Sequence, residues 1–553
     1  MSQYKTNYEF WKKQDLLPQL KKELLSLNEK EIEEAFYKDL TFGTGGLRGI
    51  MGVGTNRINI YTISKATLGL ANYLNKKQLT KGVAISYDNR YDSKSFAKQA
   101  AMVLAKQGIP SHVFKSLRPT PMLSFAVRQL KCDAGIMITA SHNPKAYNGY
   151  KVYDQTGAQI NPLTAKEIIK EISLIKNPFD IETLDDLITY IDEDFDDIYF
   201  NAIKDINIYD EEKTIKIVYS PLHGTGSTVI PKFLKQQGYD IYPYMPQMEV
   251  DPSFSKTKSS NPEDKVAYEG AISYAKEIDA DIVMLTDPDA DRLGIAVKHK
   301  GDFKLLTGNQ TAAMELHYIL KEKQKTNQLD DNGHVYTTIV TTDLIKAIAK
   351  SYDIDVITTL TGFKFIGEQA HIHEKTHPYL FGCEESYGSL ISDVVRDKDA
   401  VQAVYMLAEI ANHFKQKDLT MIDYLDYIHS YYGVYYEYTN PLKFEGIEGA
   451  KKIERIMSYY RQNPPQLPNK ALLAYDDVLK GVHVENNVET KLDLPESNVL
   501  KYYYTDDMWI VFRPSGTEPK IKIYFGVKAK TDSEAKAYVE TIERSILNTI
   551  EQL

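Results

Sequence analysis

Ala134-Gly135-Ile136-Met137-Ile138-Thr139-Ala140-Ser141-His142-Asn143-Pro144 is the stretch from which the fold is read. Its first five residues are apolar and read as a short buried strand. Pro144 and Asn148-Gly149 then break the pattern, so the strand ends in a tight loop. A serine at the end of a buried strand, beside a histidine, is placed like a nucleophile or a phosphate carrier; Ser141 merely capping the turn is the alternative. Upstream, Gly82-Val83-Ala84-Ile85-Ser86-Tyr87-Asp88 reads as another strand, Ser93 opens a helix that stops at Gly108, and a second helix covers Met122 to Leu130. Ser64 is placed to cap an earlier helix running to Leu74. Strands alternating with helices predict a layered α/β domain. Before it, residues 1–40 look helical and charged, with Leu17, Leu20, Leu24 and Leu27 at helical spacing.

The chain is too long for one core: 553 residues predict three to five domains at about 100–200 residues each. With 43% hydrophobic and 26% charged residues the composition is that of a globular protein. Sixty-six basic against 76 acidic residues give a net charge of −10, which argues against a general nucleic-acid binder. A local basic pocket for anionic small molecules stays compatible with that balance. Two cysteines, Cys132 and Cys383, give no disulfide framework and fit a reducing cytoplasm. The N-terminal residues lack a secretory h-region, and no run of about 18 apolar residues predicts a membrane span.

Several loops carry candidate chemistry. Thr41-Phe42-Gly43-Thr44-Gly45-Gly46-Leu47-Arg48-Gly49 reads as a glycine-rich loop whose backbone can approach a ligand, with Arg48 able to grip phosphate; a flexible linker is the alternative. Lys151, in the strand after the serine loop, is a candidate proton donor or acceptor, or else a surface lysine. A second α/β segment opens at Thr214–Ser220, and its glycine loop Pro221–Gly226 lacks the ending of a P-loop. It leads to Asp287-Pro288-Asp289-Ala290-Asp291-Arg292, set between the apolar strands 281–286 and 293–297. Three aspartates at alternating positions can aim three carboxylates at one spot, and all-oxygen donors suit a hard ion such as Mg²⁺. A solvated acidic turn is the bland alternative. Further on come Thr361–Gly367 and Phe381-Gly382-Cys383-Glu384-Glu385-Ser386-Tyr387-Gly388, the second of which offers carboxylates and a hydroxyl suited to sugar hydroxyls, or to helix capping. In the last, β-rich segment, Arg513-Pro514-Ser515-Gly516-Thr517-Glu518-Pro519-Lys520 is equipped to bind a phosphate dianion.

Taken in order, these motifs resemble those of the α-D-phosphohexomutase superfamily, over nearly the whole chain. Residues 139–144 resemble its phosphoserine loop, 287–292 its metal loop, 382–388 its sugar-binding loop and 513–519 its phosphate-binding loop. The Glu-Glu-Ser-aromatic-Gly form of the sugar loop is similar to the glucose-type pattern, and Thr361–Gly367 with the stretch from Asn143 to Tyr153 resembles bacterial α-phosphoglucomutases most, and also a related branch that includes phosphopentomutases. One departure is Cys383, where the glucose-type pattern often has glycine, which puts the loop's backbone freedom in question.

The resemblance implies an α/β fold of four domains around a central cleft: three similar mixed α/β domains and a C-terminal α+β domain with an antiparallel sheet. The boundaries expected here are 1–205, 206–320, 321–445 and 446–553. It implies an intramolecular phosphotransferase interconverting glucose 1-phosphate and glucose 6-phosphate through glucose 1,6-bisphosphate, which also serves as activator. Ser141, His142, Lys151 and Arg48 are then the catalytic set. One Mg²⁺ per chain is held by Asp287, Asp289, Asp291 and phosphorylated Ser141. Arg292, Thr361, Gly362, Lys364, Glu384, Ser386 and Lys398 bind substrate, and Arg513, Ser515, Gly516 and Thr517 bind its other phosphate. The partners implied are small sugar phosphates, with no nucleic acid and no membrane, for a cytoplasmic monomer or weak homodimer. Pentose or mannose phosphates as substrates, and a metal-dependent phosphatase using the same serine, are the competing readings.

Overall fold

The structure, a computed structural model, describes residues 2–43, 45–515 and 519–553. The chain divides into two compact units. The first comprises Met1–Gly308, Phe363–Gly382 and Ser386–Thr420; the second comprises Asn309–Gly362, Cys383–Glu385 and Met421–Leu553.

The first unit is built on two sheets. One contains β1 (Gly46–Ile50), β2 (Val83–Tyr87), β3 (Ser111–Phe114), β4 (Ala134–Ile138), β5 (Tyr147–Asp154) and β6 (Ile188–Ile191), in the order β1-β5-β4-β2-β3-β6. β2 and β4 are buried at every position and pair in parallel, as continuous apolar strands covered on both faces do. β5 turns back antiparallel to β4 and brings Lys151 opposite Met137. Half of the glycine-rich stretch read as a loop is in fact strand: β1 pairs antiparallel with β5. Gly46 permits this, because its φ is +135° and a Cβ there would lie 1.8 Å from the Tyr150 carbonyl oxygen. The helix Ile60–Lys76 is capped by Asn59, whose side chain accepts from the Tyr61 and Thr62 amides. Ser64 lies inside that helix and hydrogen-bonds back to the Ile60 carbonyl instead of capping it.

The second sheet of this unit contains β7 (Lys216–Ser220), β8 (Asp240–Pro243), β9 (Ile282–Thr286), β10 (Leu293–His299) and β11 (Asp302–Leu305), in the order β11-β10-β9-β7-β8. β7 and β9 are parallel, whereas β10 returns antiparallel to β9, so residues 287–292 are the turn of a hairpin. In both sheets the loops of interest leave the carboxyl ends of parallel strands, where open α/β sheets bind ligands.

The second unit holds the parallel pair β12 (His334–Thr338) and β13 (Asp355–Thr359). The strand β14 (Tyr379–Glu384) begins in the first unit and ends in the second; a turn then leads to β15 (Gly388–Leu390). Cys383 is fully buried in β14, in ordinary extended backbone, so it restricts no turn. The C-terminal part is a seven-stranded antiparallel sheet. Its strands are β16 (Val434–Lys443), β17 (Leu472–Asp477), β18 (Val482–Glu485), β19 (Val488–Lys491), β20 (Leu500–Tyr504), β21 (Met508–Pro514) and β22 (Lys520–Ala529). They run in the order β16-β22-β21-β20-β17-β18-β19. The helices Gly446–Gln462 and Asp532–Gln552 cover one face, packing Ile456, Val539, Ile542 and Ile546 on Phe512, Ile523 and Phe525. Alternation along β21 and β22 supplies that apolar face. No helix among the described residues is long and apolar enough to cross a membrane.

Candidate active site

Ser141 follows β4 after two residues and is 3% exposed. Its φ is +51°, a left-handed conformation uncommon for a residue with a side chain. The Thr139 hydroxyl accepts from the Ser141 amide at 2.8 Å and helps to hold the turn. The Ser141 hydroxyl donates to Asp287 Oδ2 at 2.7 Å, and His142 Nδ1 lies 3.2 Å from Ser141 Oγ. The serine loop and the aspartate loop, 146 residues apart, are thus joined directly.

The aspartate loop is stiffened from within and from both sides. The Asp291 and Arg292 amides each donate to Asp287 Oδ1 at 3.1 Å. The Thr120 amide donates to the Asp289 carbonyl and its hydroxyl to Asp289 Oδ2. The Thr225 amide donates to the Pro288 carbonyl at 2.8 Å. Gly224 backs onto the same proline so closely that a Cβ would lie 2.3 Å from Pro288 Cα. The loop Pro221–Gly226 is therefore a backing for the aspartates.

One ligand oxygen from each of Asp287, Asp289 and Asp291 lies within 4.8 Å of the others, and all three residues are buried. Lys151 Nζ reaches Asp289 Oδ2 at 2.7 Å and Asp291 Oδ2 at 3.3 Å. Lys398 Nζ reaches Asp291 Oδ2 at 3.2 Å and Asp397 Oδ1 at 3.3 Å, while the Tyr153 hydroxyl donates to Asp397 Oδ2. Burial, and then the neighbouring Asp289 and Asp291, push the Asp287 carboxyl well above the usual range. Burial works against the Asp289 charge too, but Lys151 overcomes it and holds that carboxyl below its usual range. Burial lowers His142 well below an ordinary imidazole, aided by Arg292 and Arg48, so its ring is neutral.

These residues fit a bound cation. Asp289 Oδ1 and Asp291 Oδ1 are buried without a hydrogen-bond partner among the described residues. Buried carboxylate oxygens without a hydrogen bond are costly, and two of them in a cluster of three carboxylates suit a hard divalent ion.

The other expected residues are distributed as follows. Arg48, on β1, donates to Asn143 Oδ1 at 3.2 Å, and Arg292 pairs with Glu263 at 2.7 Å. Lys364 lies in the first unit with its ammonium over the Phe365 ring, and Ser386 lies in the turn before β15. In the second unit Thr361 and Gly362 follow β13, with Gly362 at φ +118°, and Glu384 ends β14. Arg513, near the end of β21, donates to the Tyr524 hydroxyl at 3.3 Å; the Ser515 amide donates to the Lys520 carbonyl. Gly516 and Thr517 lie outside the described residues.

Sequence reasoning passed over Arg90, Thr120 and Asp397. The signal for Arg90 was Asp88-Asn89-Arg90 at the end of a buried strand; for Asp397 it was the alternating Arg396-Asp397-Lys398-Asp399 before a helix.

With this geometry in hand, comparison with known proteins is direct. Models of phosphoglucomutase/phosphomannomutase α/β/α domains I, II and III match residues 39–178, 197–301 and 307–427, and the model of the C-terminal domain matches 466–545. The chain belongs to the phosphoglucomutase/phosphomannomutase family. It is 38% identical over 508 residues to a phosphoglucomutase of Staphylococcus aureus (strain MRSA252), covering 90% of this chain and 91% of the relative. It is 37% identical over 506 residues to that of Staphylococcus haemolyticus (strain JCSC1435), with the same shares. The fold matches a putative phosphomannomutase from Thermus thermophilus, with TM-score 0.69, 22% identity and 92% of this chain and 99% of that one covered. It also matches parafusin, a phosphoglucomutase from Paramecium, with TM-score 0.69, 19% identity and 93% and 95% covered.

Proposed function

We propose that this enzyme interconverts glucose 1-phosphate and glucose 6-phosphate, with Ser141 as the phosphoryl carrier and glucose 1,6-bisphosphate as intermediate and activator. The observation that carries the reading is the buried Ser141 hydroxyl on Asp287, beside two ammonium groups and two carboxylate oxygens with no hydrogen-bond partner among the described residues. Asp287, Asp289 and Asp291 would hold one Mg²⁺, with phosphorylated Ser141 as a further oxygen donor. When bound, the ion neutralises charge on the transferring group.

The protein's own groups account for the rest. In the first transfer the O–P bond at Ser141 breaks and an O–P bond forms at the free sugar hydroxyl. The hydroxyl proton ends on Ser141 Oγ, in the protonated state that donates to Asp287. Burial opposes the charge of Lys151, but Asp289 and Asp291 raise its pKa, so it stays an ammonium group. It stabilises negative charge on the transferring phosphoryl group and relays the proton. Arg48 adds a second cation. Neutral His142 orients Ser141 Oγ. Arg292, Lys364, Ser386 and Lys398, with Thr361, Gly362 and Glu384, are assigned to substrate binding. Arg513 and Ser515, with Gly516 and Thr517, are assigned to the phosphate that does not react. We keep the four-domain division at residues 205, 320 and 445 and a cytoplasmic site of action as part of this reading.

The test is conversion of glucose 1-phosphate with Mg²⁺ and glucose 1,6-bisphosphate, comparing wild type with Ser141→Ala. Wild type is expected to form glucose 6-phosphate, and the folded variant to lose at least about 10³-fold in kcat. Release of free phosphate in place of glucose 6-phosphate, or substantial turnover by Ser141→Ala, would overturn the reading. Parallel kcat/KM values for mannose 1-phosphate and ribose 1-phosphate decide the preferred sugar.

A further inference from the structure

Arg90 uses all five of its side-chain N–H donors, and none of them points at the aspartates. Nε donates to Asp88 Oδ2 at 3.1 Å. Nη1 donates to the carbonyls of Pro144 and Tyr147, both at 2.9 Å. Nη2 donates to the carbonyls of Ser141 and Asn143, both at 2.5 Å. The side chain is fully buried. A guanidinium offers five donors in one rigid plane; an ammonium offers three from a point and cannot reproduce that pattern. Four of the seven carbonyls between residues 141 and 147 thus converge on one cation that comes from the end of β2.

The cation is itself held on both sides. Asp88 accepts from the Arg90 amide, from Arg90 Nε and from the Ser93 hydroxyl, while the Asp88 amide donates to the Ile138 carbonyl. Phe254 covers the guanidinium, its ring centroid 5.2 Å from Cζ. The loop carrying Phe254 is tied to the same neighbourhood. Asn89 Nδ2 donates to the Asp251 carbonyl, the Tyr91 and Ser253 hydroxyls meet at 2.6 Å, and the Ser260 hydroxyl donates to the His142 carbonyl. Ser141 meanwhile holds a left-handed φ of +51°, which a residue with a Cβ keeps only when its surroundings over-determine it.

We propose that Arg90 is a positioning residue for the phosphoryl transfer: its five-fold anchorage fixes the left-handed turn that aims Ser141 Oγ at Asp287, with Phe254 as its cover. Arg90 touches neither the reacting oxygen nor the aspartates. It acts through the backbone of the serine loop. The proposal rests on the mutase reading above for its kinetic consequence, but not for its structural one.

Two variants, Arg90→Lys and Arg90→Ala, test it in the full chain by kinetics and by amide hydrogen exchange. Displacing a reacting group by about an ångström costs on the order of 100-fold, so kcat for glucose 1-phosphate is expected to fall about that much in both variants. KM should stay within about threefold, because the substrate-binding groups are untouched. Amides of residues 141–147 should exchange at least about tenfold faster while those of β2 and β4 keep their protection. Added guanidinium ion should restore part of the kcat of Arg90→Ala and none of that of Arg90→Lys. A kcat for Arg90→Lys within threefold of wild type, or faster exchange throughout the β1–β6 sheet, would overturn the proposal. Should wild type fail to isomerise glucose 1-phosphate while the exchange pattern appears as described, the mutase reading falls and the positioning role stands.

Discussion

The aspartate triad of the first unit and Glu385 of the second are handled in opposite ways. Asp287, Asp289 and Asp291 are buried almost completely, and each has a fixed partner on one oxygen: the Ser141 hydroxyl, Thr120 with Lys151, and Lys398 with Lys151. Glu385 of the second unit is half-buried, takes a long 3.4 Å contact from the Thr338 hydroxyl, and shares its neighbourhood with Glu384, Lys522 and Arg513. Burial and Glu384 push its carboxyl up to about 7, so it changes charge near neutrality. On the proposed function the contrast matches two tasks. Phosphoryl transfer rewards groups fixed in advance. Recognition of a sugar phosphate in two orientations rewards groups that adjust.

The strongest way to break this contrast is to remove one fixed charge. Asp289→Asn keeps the shape of the side chain and the Thr120 contact but weakens the hold on Lys151 and on a cation. We expect a loss of at least about 10³-fold in kcat, as for removal of a metal-stabilising group. The independent readout is thermal stability. Saturating Mg²⁺ at about 100 times its Kd should stabilise wild type by about 2.7 kcal/mol and leave Asp289→Asn nearly unchanged. A variant that still gains stability from Mg²⁺ like wild type would show that the triad is not the ion's seat.

How much of this was readable beforehand depends on how local the cause is. The convergence of the three aspartates was legible because a strand, a short loop with carboxylates at alternate positions and a returning strand are contiguous in sequence. The α/β alternation was legible for the same reason. β1 was not: that Gly46–Ile50 becomes a strand depends on an edge offered by β5, about a hundred residues later, and glycine content alone points to a loop. Ser64 was read as the helix cap although Asn59 holds that place, because both residue types cap helices and only the turn geometry decides between them. Arg90 escaped because its partners are backbone carbonyls, which every sequence possesses and none advertises. The doubt over Cys383 dissolved because that position is strand and not turn.

A smaller effect is expected from making Glu385 constant. Below about pH 7 it is protonated and neutral; above, its charge joins that of Glu384 and competes for Arg513 and Lys522. KM for glucose 6-phosphate should therefore rise a few-fold more between pH 6 and pH 8 in wild type than in Glu385→Gln. The ratio of the two enzymes removes the substrate's own titration, whose second pKa is about 6. The same group enters stability with a definite sign. Its folded pKa is raised, so between the unfolded value and about 7 the folded state holds a proton that the unfolded state lacks, and stability falls as pH rises across that window. Identical pH dependence of KM in both enzymes would remove Glu385 from the adjustable side of the contrast.

The smallest effect sharpens the contrast within the second unit itself, because Lys501 is a buried cation site with the opposite sign. Its ammonium donates to the Ile339 carbonyl at 2.7 Å and lies 4.7 Å from the Trp509 ring and 4.9 Å from that of Tyr503. Burial is the main cause that brings its pKa down to about 7, with Lys346 adding to it and Asp343 and Asp476 opposing. A depressed lysine means that between about pH 7 and its ordinary value near 10.5 the unfolded chain binds a proton the folded chain does not. Stability of the second unit should therefore climb through that window, the reverse of the Glu385 effect below pH 7. Lys501→Met keeps the length of the side chain, removes the charge to be desolvated, and leaves the Ile339 carbonyl without its donor. The two consequences oppose each other at about 1–3 kcal/mol each, so the net change at pH 7 is expected to be near 1 kcal/mol in either direction. The decisive quantity is the slope: urea unfolding of wild type from pH 7 to 10 should show rising stability that Lys501→Met flattens. A slope unaltered by the substitution would mean that Ile339, Trp509 and Tyr503 keep the ammonium charged, and that hydrogen bonding and ring contacts outweigh burial at this position.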